Sequence, residues 1–385
     1  MATILNGITW AHSRGITPLL AAAQRFSELH AGIEINWKKR SLQEFADFPL
    51  EKLTDHYDLL IIDHPWVGCA AATQCVLPLN EYLPETYLQD QLQNSMGESH
   101  TSYLYEGSQW ALAIDAATPV ASYRADLLKK HSAGIPLSWE ALLDMAKDGK
   151  VAVPAIPIDL LMNFYMFCIA HGTTPFQNDQ TVIDKHTGIM ALETMRQLYS
   201  LVHPKMFQYN PIAVAEQMTI TDDYWYCPFA YGYSNYSRRG YAANLLTYTD
   251  LLPFNGQRLR STIGGTGLAV SAASKHKTIA VEFAQLLASP VWQSTLYVEN
   301  GGQPGHLAAW KSESANRLCN NYFANILPAM ERGYMRPRYN GYLHFQDHAG
   351  KPVQQYLMNG GNPETVLEEM DSLYKHSLKG AIINC

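Results

Sequence analysis

Eight of the eighteen residues from Tyr224 to Tyr241, YWYCPFAYGYSNYSRRGY, are aromatic, and Arg238 and Arg239 stand beside the last of them. Leucines would fill a core without hydroxyl groups to satisfy. Tyrosine and tryptophan cover an apolar face with the ring and hydrogen-bond with the O–H or N–H. Residues of that kind suit a wet surface that holds a small polar molecule. Trp225, Tyr231 and Tyr233 are the candidates here for ligand contact, while Tyr226 and Phe229 alternate with them as core positions in a strand-like run. Arg238 suits an anionic ligand group or a surface acid.

Further candidates are scattered along the chain. Trp10 and His12 lie in WAHSRG, Asp63 and His64 follow the apolar run YDLLII, and Asp115 lies in ALAIDAAT. Gly265 and Thr266 belong to IGGTG, Gln303 and His306 to GGQPGH, and Arg338 and Tyr339 to RGYMRPRYNGY. Each has a structural reading beside the binding one. Asp63 can cap a helix or brace a loop. Asp115 can brace a chain crossing. Gly265 and Thr266 can offer backbone N–H groups or serve the backbone alone.

Other chemistries fit less well. GGTG is followed by LAVSA, which is β-like, whereas a dinucleotide fingerprint runs from strand through glycines into helix. Asp63 and His64 can be joined on paper to a serine, but there is no GxSxG elbow, and no carboxylate pair can be picked out by spacing. No catalytic residue is assigned. The six cysteines include no CxxC and no Cys/His zinc spacing, so neither a metal nor a cofactor is expected. A net charge of −7 speaks against a nucleic-acid partner. The run Lys38 to Arg40 is short enough to be a solvated face.

The elements that must position these groups are legible from periodicity. The 385 residues are 47% hydrophobic and 16% charged, a globular composition whose length implies two domains or lobes. ILNGITW reads as a strand, AHSRGITP as a loop, LLAAAQRFSELHAG as an amphipathic helix closed by Gly32, and IEINWKKR as a second strand. QEFADFPLEKLTDH reads as helical or irregular, and YDLLIIDHP as a strand buried on both faces. This β-α-β-α-β order predicts a mostly parallel α/β sheet, with ligand at the C-terminal ends of its strands. Next, Trp110 to Ile114 reads as a strand, Asp115 to Thr118 as a turn and Val120 to Tyr123 as a strand. Helices follow over DLLMNFYMFCIAHG, GIMALETMRQLYSLV and TIAVEFAQLLAS. The glycines of IGGTG, leading into a strand, predict a close backbone crossing or hinge.

In this order of elements the chain resembles the extracellular solute-binding proteins of ABC transporters, in their sugar-binding family 1. Four patterns carry the resemblance: WAHSRG after the first strand; ALAIDAATPVASYRADLL, like that family's first hinge crossing and helix entry; IGGTGLAVSAAS with ASPVWQSTLY, like the second crossing and its packing helix; and GGQPGH, where the family has a glycine-proline turn. The resemblance covers nearly the whole chain. It implies an α/β, two-lobed periplasmic-binding type II fold, with the ligand clamped between lobes joined by two or three crossings. The division it suggests is residues 1–112 with 268–318, and 113–267 with 319–385. It also implies a carbohydrate or similar small polar ligand, a permease partner if the protein is exported, and a monomer. No apolar run approaches a membrane span, and MATILNGITWAHSRG has no signal-peptide pattern. The chain as it stands is therefore expected in the cytoplasm, or outside the membrane if it is a trimmed mature form. A cytoplasmic small-molecule sensor or an enzyme on the same fold is the competing reading.

Overall fold

The computed structural model describes residues 2–41 and 50–379. The segment read as helical or irregular lies partly outside them; its described part contains the short helix Leu50–Thr54.

Strand β1 (Thr3–Trp10) pairs in parallel with β2 (Ile33–Arg40) on one side and β3 (Leu59–Ile62) on the other. All four residues of β3 are buried, which is why its sequence is continuously apolar rather than alternating. Between β1 and β2 runs α1 (Ser13–Leu29), whose inner stripe is Leu19, Ala22, Ala23 and Phe26. The helix begins at Ser13, inside the stretch read as a loop. His12 is its cap, its Nδ1 accepting from the backbone N–H of Arg14 at 3.0 Å, and Pro18 is carried within the helix. The imidazole does what Ser or Asp ordinarily does at this position, so the usual start signal is missing.

The same sheet is completed by β4 (Leu112–Ala117) and by β8 (Gly264–Val270), which lies between β3 and β4 and runs antiparallel to both. Asp115, read as part of a turn, therefore lies within a strand, because β8 keeps β4 paired as far as Ala117. One residue, Thr118, then leads into β5 (Pro119–Tyr123) of a second, three-stranded antiparallel sheet. There β5 is flanked by β6 (Tyr226–Tyr231) and β7 (Thr247–Thr249).

Three chain passages meet beside Thr118. Its Oγ1 donates to the carbonyl of Thr262 at 3.0 Å. Tyr334 then brackets Thr262: its N–H donates to Ser261 O at 2.7 Å, and its carbonyl accepts from Ile263 N–H at 2.8 Å. At Gly265 φ is +107°, and a Cβ would lie 2.1 Å from the carbonyl oxygen of Asp115. Only glycine allows this approach. The close crossing expected from IGGTG is present.

Helices α2 (Pro157–Ala170), α3 (Lys185–Tyr199), α5 (Tyr342–Asn359) and α6 (Pro363–Ser377) pack together, α5 on α2, α3 and α6, and α2 meets the second sheet where Phe167 packs edge-on against Phe229 at 5.9 Å. Helix α4 (Lys277–Leu287) covers the first sheet at β8. Leu160, Leu161, Phe164 and Phe167 of α2 are fully buried, each worth about 1.5–3 kcal/mol relative to exposure. The apolar fixing of α2 matters because its first turn reaches a cavity.

Candidate functional site

A cavity of about 290 Å³ opens where the two sheets meet, near the small end of the roughly 300–1,000 Å³ usual for ligand sites. Trp10 at the end of β1, Asp63 after β3, and Gly264 to Thr266 at the start of β8 line it from the first sheet. Tyr231 and Tyr233, at the end of β6 and just beyond it, line it from the second, and the first turn of α2 supplies Ile158, Asp159 and Met162.

Two ion pairs flank the space, one buried throughout and one whose acid, Asp63, is partly exposed. Arg14, in the first turn of α1, donates from Nε to Asp115 Oδ2 at 2.9 Å and from Nη2 to Oδ1, while Nη1 donates to the carbonyl of Gly232 at 3.0 Å. Burial pulls this guanidinium's pKa down, but the Asp115 carboxylate more than offsets that and holds it above its ordinary value. The second pair joins Arg336 to Asp63. Nη2 donates to both carboxylate oxygens at 2.7 Å, and Nη1 donates to Gln346 Oε1 at 2.8 Å. Burial acts to raise the Asp63 pKa, and the Arg336 charge outweighs it, so the group is held well below the usual carboxylate range. Asp63 also accepts from the backbone N–H of His64 at 2.8 Å, so the expected capping role and a place on the cavity wall coexist. His64 is buried beneath, its pKa lowered to about 4 by burial and then by the Arg336 charge.

The aromatic wall is held in register by its own edges. Trp10 and His12 stack, with ring centroids 5.5 Å apart, and Tyr233 meets both edge-on at 6.0 and 4.7 Å. The Arg14 guanidinium lies 4.9 Å from the Tyr233 ring centre, within cation–π range. Tyr231 and Thr262 share a hydrogen bond between hydroxyls at 2.9 Å. A Cβ on Gly264 would come within 2.6 Å of the Tyr231 ring, so that glycine leaves room for the tyrosine. Burial and Arg14 lower the His12 pKa to about 4, and its Nε2 lies 3.2 Å from Tyr241 Oη.

Asp159 differs from the other carboxylates. It is 6% exposed, and its Oδ2 is buried with no hydrogen-bond partner among the described residues. Burial alone pushes it up to about 8.

Of the residues singled out from the sequence, the fold brings Trp10, Asp63, Tyr231, Tyr233, Gly265 and Thr266 to the cavity wall. His12, His64 and Asp115 stand directly behind lining residues. Gln303 is buried at the crossing, accepting from Ser234 N–H at 2.7 Å and donating to Ala116 O at 3.2 Å. The others lie apart from this cavity. Trp225 stacks on His131 at 4.5 Å, and Arg238 donates to the carbonyls of Val298 and Glu299. His306 caps a short helix through Ala308 N–H. Arg338 donates to the carbonyls of Thr101, Ser102 and Leu104, and Tyr339 pairs with Ser377.

Arg14, Asp159, Arg336 and Gln346 also line the cavity and were not singled out. Arg14 and Arg336 lie in stretches that were, WAHSRG and RGYMRPRYNGY. For Asp159 the sequence hides the signal, since an acid two residues after a proline reads as an ordinary helix start.

Among the described residues, no group of three or more His, Cys, Asp or Glu is placed to hold a metal ion, and no helix is long and apolar enough to cross a membrane.

Comparison with known proteins agrees with this architecture. Residues 12–294 match the model of the family described as bacterial extracellular solute-binding protein. No curated protein matches the chain by sequence. Among solved structures, maltose-bound MalE3 of T. maritima is 16% identical with a TM-score of 0.82, covering 97% of this chain and 100% of that one. A solute-binding protein of Agrobacterium radiobacter K84 in complex with ribitol is 19% identical, with TM-score 0.82 and coverage of 97% and 98%. The maltotriose-bound maltotriose binding protein of Thermus thermophilus is 18% identical, with TM-score 0.78 and coverage of 98% and 100%. At these identities the likeness is one of fold, the two-lobed α/β architecture.

Proposed function

Since the chain belongs to the bacterial extracellular solute-binding protein family, we propose that its solute is a carbohydrate or polyol, held in the cavity between the sheets and delivered to an ABC-type permease. The observation that carries this reading is the make-up of the wall: Trp10, Tyr231 and Tyr233 beside carboxylate and guanidinium groups. Aromatic faces cover the C–H side of a sugar ring, and the charged groups pair with its hydroxyls. The ligands of the maltose-, maltotriose- and ribitol-bound structures support the same class.

On this reading the lobes divide at the passages beside Thr118, Ile263 and Tyr334 rather than at 112, 267 and 318, and closure about them traps the solute. The protein acts outside the membrane, as the family's description implies, and works as a monomer; no catalytic residue is assigned. Titration calorimetry against mono- and oligosaccharides and polyols tests the ligand class, and small-angle scattering tests closure. A sugar that binds at micromolar or lower Kd and compacts the protein supports the reading. Binding without compaction refutes the clamp, and no binding across the panel refutes the ligand class. Fractionation of the native cells decides the compartment.

A further inference from the structure

We propose that the solute carries a basic nitrogen, as an amino sugar or aminopolyol does, and that Asp159 selects it. The inference rests on the carbohydrate reading above and narrows it.

Charge balance in the cavity carries the argument. Asp115 is matched by Arg14, and Asp63 by Arg336. Asp159 lines the same space and, among the described residues, has no cation of its own. An acid in the first turn of a helix is usually explained by that helix. Here the cap position is Ile156, which gives no side-chain cap, and burial is the sole influence on the Asp159 carboxyl. The group therefore neither caps nor pairs; it faces the cavity nine-tenths buried.

Beside a neutral hydroxyl the group keeps its own proton and stays uncharged. An ammonium donates to the carboxylate and neutralises it as that proton leaves to solvent, an interaction only a cation offers. The neighbouring rings favour the same choice. Tyr231 and Tyr233 are close enough for Asp159 to disturb their hydroxyl groups, and aromatic faces beside a carboxylate are what an ammonium group meets in its best-adapted sites. A cationic solute makes the walls and their content neutral together.

The test is titration calorimetry at pH 7.5 with matched probes: D-glucosamine against D-glucose, D-galactosamine against D-galactose, glucamine against sorbitol, and putrescine as an amine without hydroxyls. In at least one pair the amine is expected to bind at least tenfold tighter. Asp159→Asn is expected to remove that preference while circular dichroism stays native, and Asp159→Ser serves if the amide variant fails to fold. A neutral sugar binding as tightly as its amine, or a preference that survives both variants, overturns the inference and leaves the carbohydrate reading intact. Putrescine binding with no response to any polyol overturns the carbohydrate reading and keeps the cation. No binding by any probe overturns both.

Discussion

Replacing Asp159 by asparagine changes the charge of the cavity wall with little change of shape, so its effect on stability can be worked out. The carboxyl sits at about 8 in the folded protein against 3.8 for the free group, a rise of roughly four units. A raised carboxylate pKa means the fold binds the proton more tightly than the unfolded chain does. The group costs nothing below pH 4; the cost then grows by about 1.4 kcal/mol per pH unit and levels off above pH 8. The full penalty is about 5 kcal/mol, of which about 1–2 kcal/mol is present at pH 5. Asparagine does not titrate, so its own burial cost is the same throughout. Between pH 5 and pH 8 the stability of Asp159→Asn relative to wild type should therefore rise by about 4 kcal/mol. For 385 residues, an unfolding entropy of about 2.1 cal/mol/K per residue gives roughly 0.8 kcal/mol per kelvin. The difference in Tm should thus shift by about 5 °C in favour of the variant. Differential scanning calorimetry of ligand-free protein at pH 5, 6, 7 and 8 reads it directly. The other charged groups on the wall, Asp63 with Arg336 and Arg14 with its partner Asp115 behind it, are paired and do not supply this slope. A Tm difference that stays flat over that range, or moves the other way, refutes the lone-carboxylate reasoning.

Three further outcomes follow from the same geometry. Arg14→Met strands Asp115 in a buried position and should cost about 3–5 kcal/mol; urea unfolding measures it, and adding Asp115→Leu should recover part of the loss. Gly265→Ala places a Cβ 2.1 Å from Asp115 O at φ +107° and should cost at least about 1–3 kcal/mol, seen as a lowered urea midpoint; an unchanged midpoint refutes the crossing as drawn. Tyr233→Ala removes a ring from the cavity wall and should weaken binding of the best solute at least tenfold by calorimetry, whereas Trp225→Ala, whose ring lies on His131, should leave it within about twofold.

Much of the fold was legible because it rests on local patterns. The parallel opening shows in the alternation of IEINWKKR and the solid apolar run of LLII, and the crossing at Gly265 shows in glycines that lead into a strand. What misled was local chemistry in an unusual role. His12 caps α1 in place of a hydroxyl or carboxylate, which put the expected helix start at Leu19, six residues past its true place at Ser13, and β8 straightens Asp115 into a strand that its sequence reads as a turn. The site was half legible. Strand ends point to Trp10 and Asp63, and aromatic density to Tyr231 and Tyr233. Arg336 and Asp159 could not be told from their neighbours, because pairing across 273 positions and the lack of any partner are both properties of the folded chain alone.

The contacts around the cavity also bear on how closure is balanced. With the lobes divided at the crossings, the Arg14–Asp115 pair stays within the first sheet's unit and survives opening. Arg14 Nη1 to Gly232 O, the Asp63–Arg336 pair, Arg238 on the carbonyls of Val298 and Glu299, and the contacts of Tyr241 Oη with His12 Nε2 and Ser13 Oγ at 3.2 Å run between the two units and favour the closed form. The two contacts at Tyr241 are neutral, worth about 0.5–1.5 kcal/mol each net, and the Arg14 bond is charge-assisted, at about 1.5–3 kcal/mol. The Asp63–Arg336 pair adds to them, and water replaces each of these contacts on opening. Against them stands the unmatched Asp159, whose ionised form gains hydration when the cavity opens. The two effects have opposite sign. A solute that supplies Asp159 with its missing partner removes the opposing term, so the group that selects the ligand is also the one that lets the ligand close the clamp.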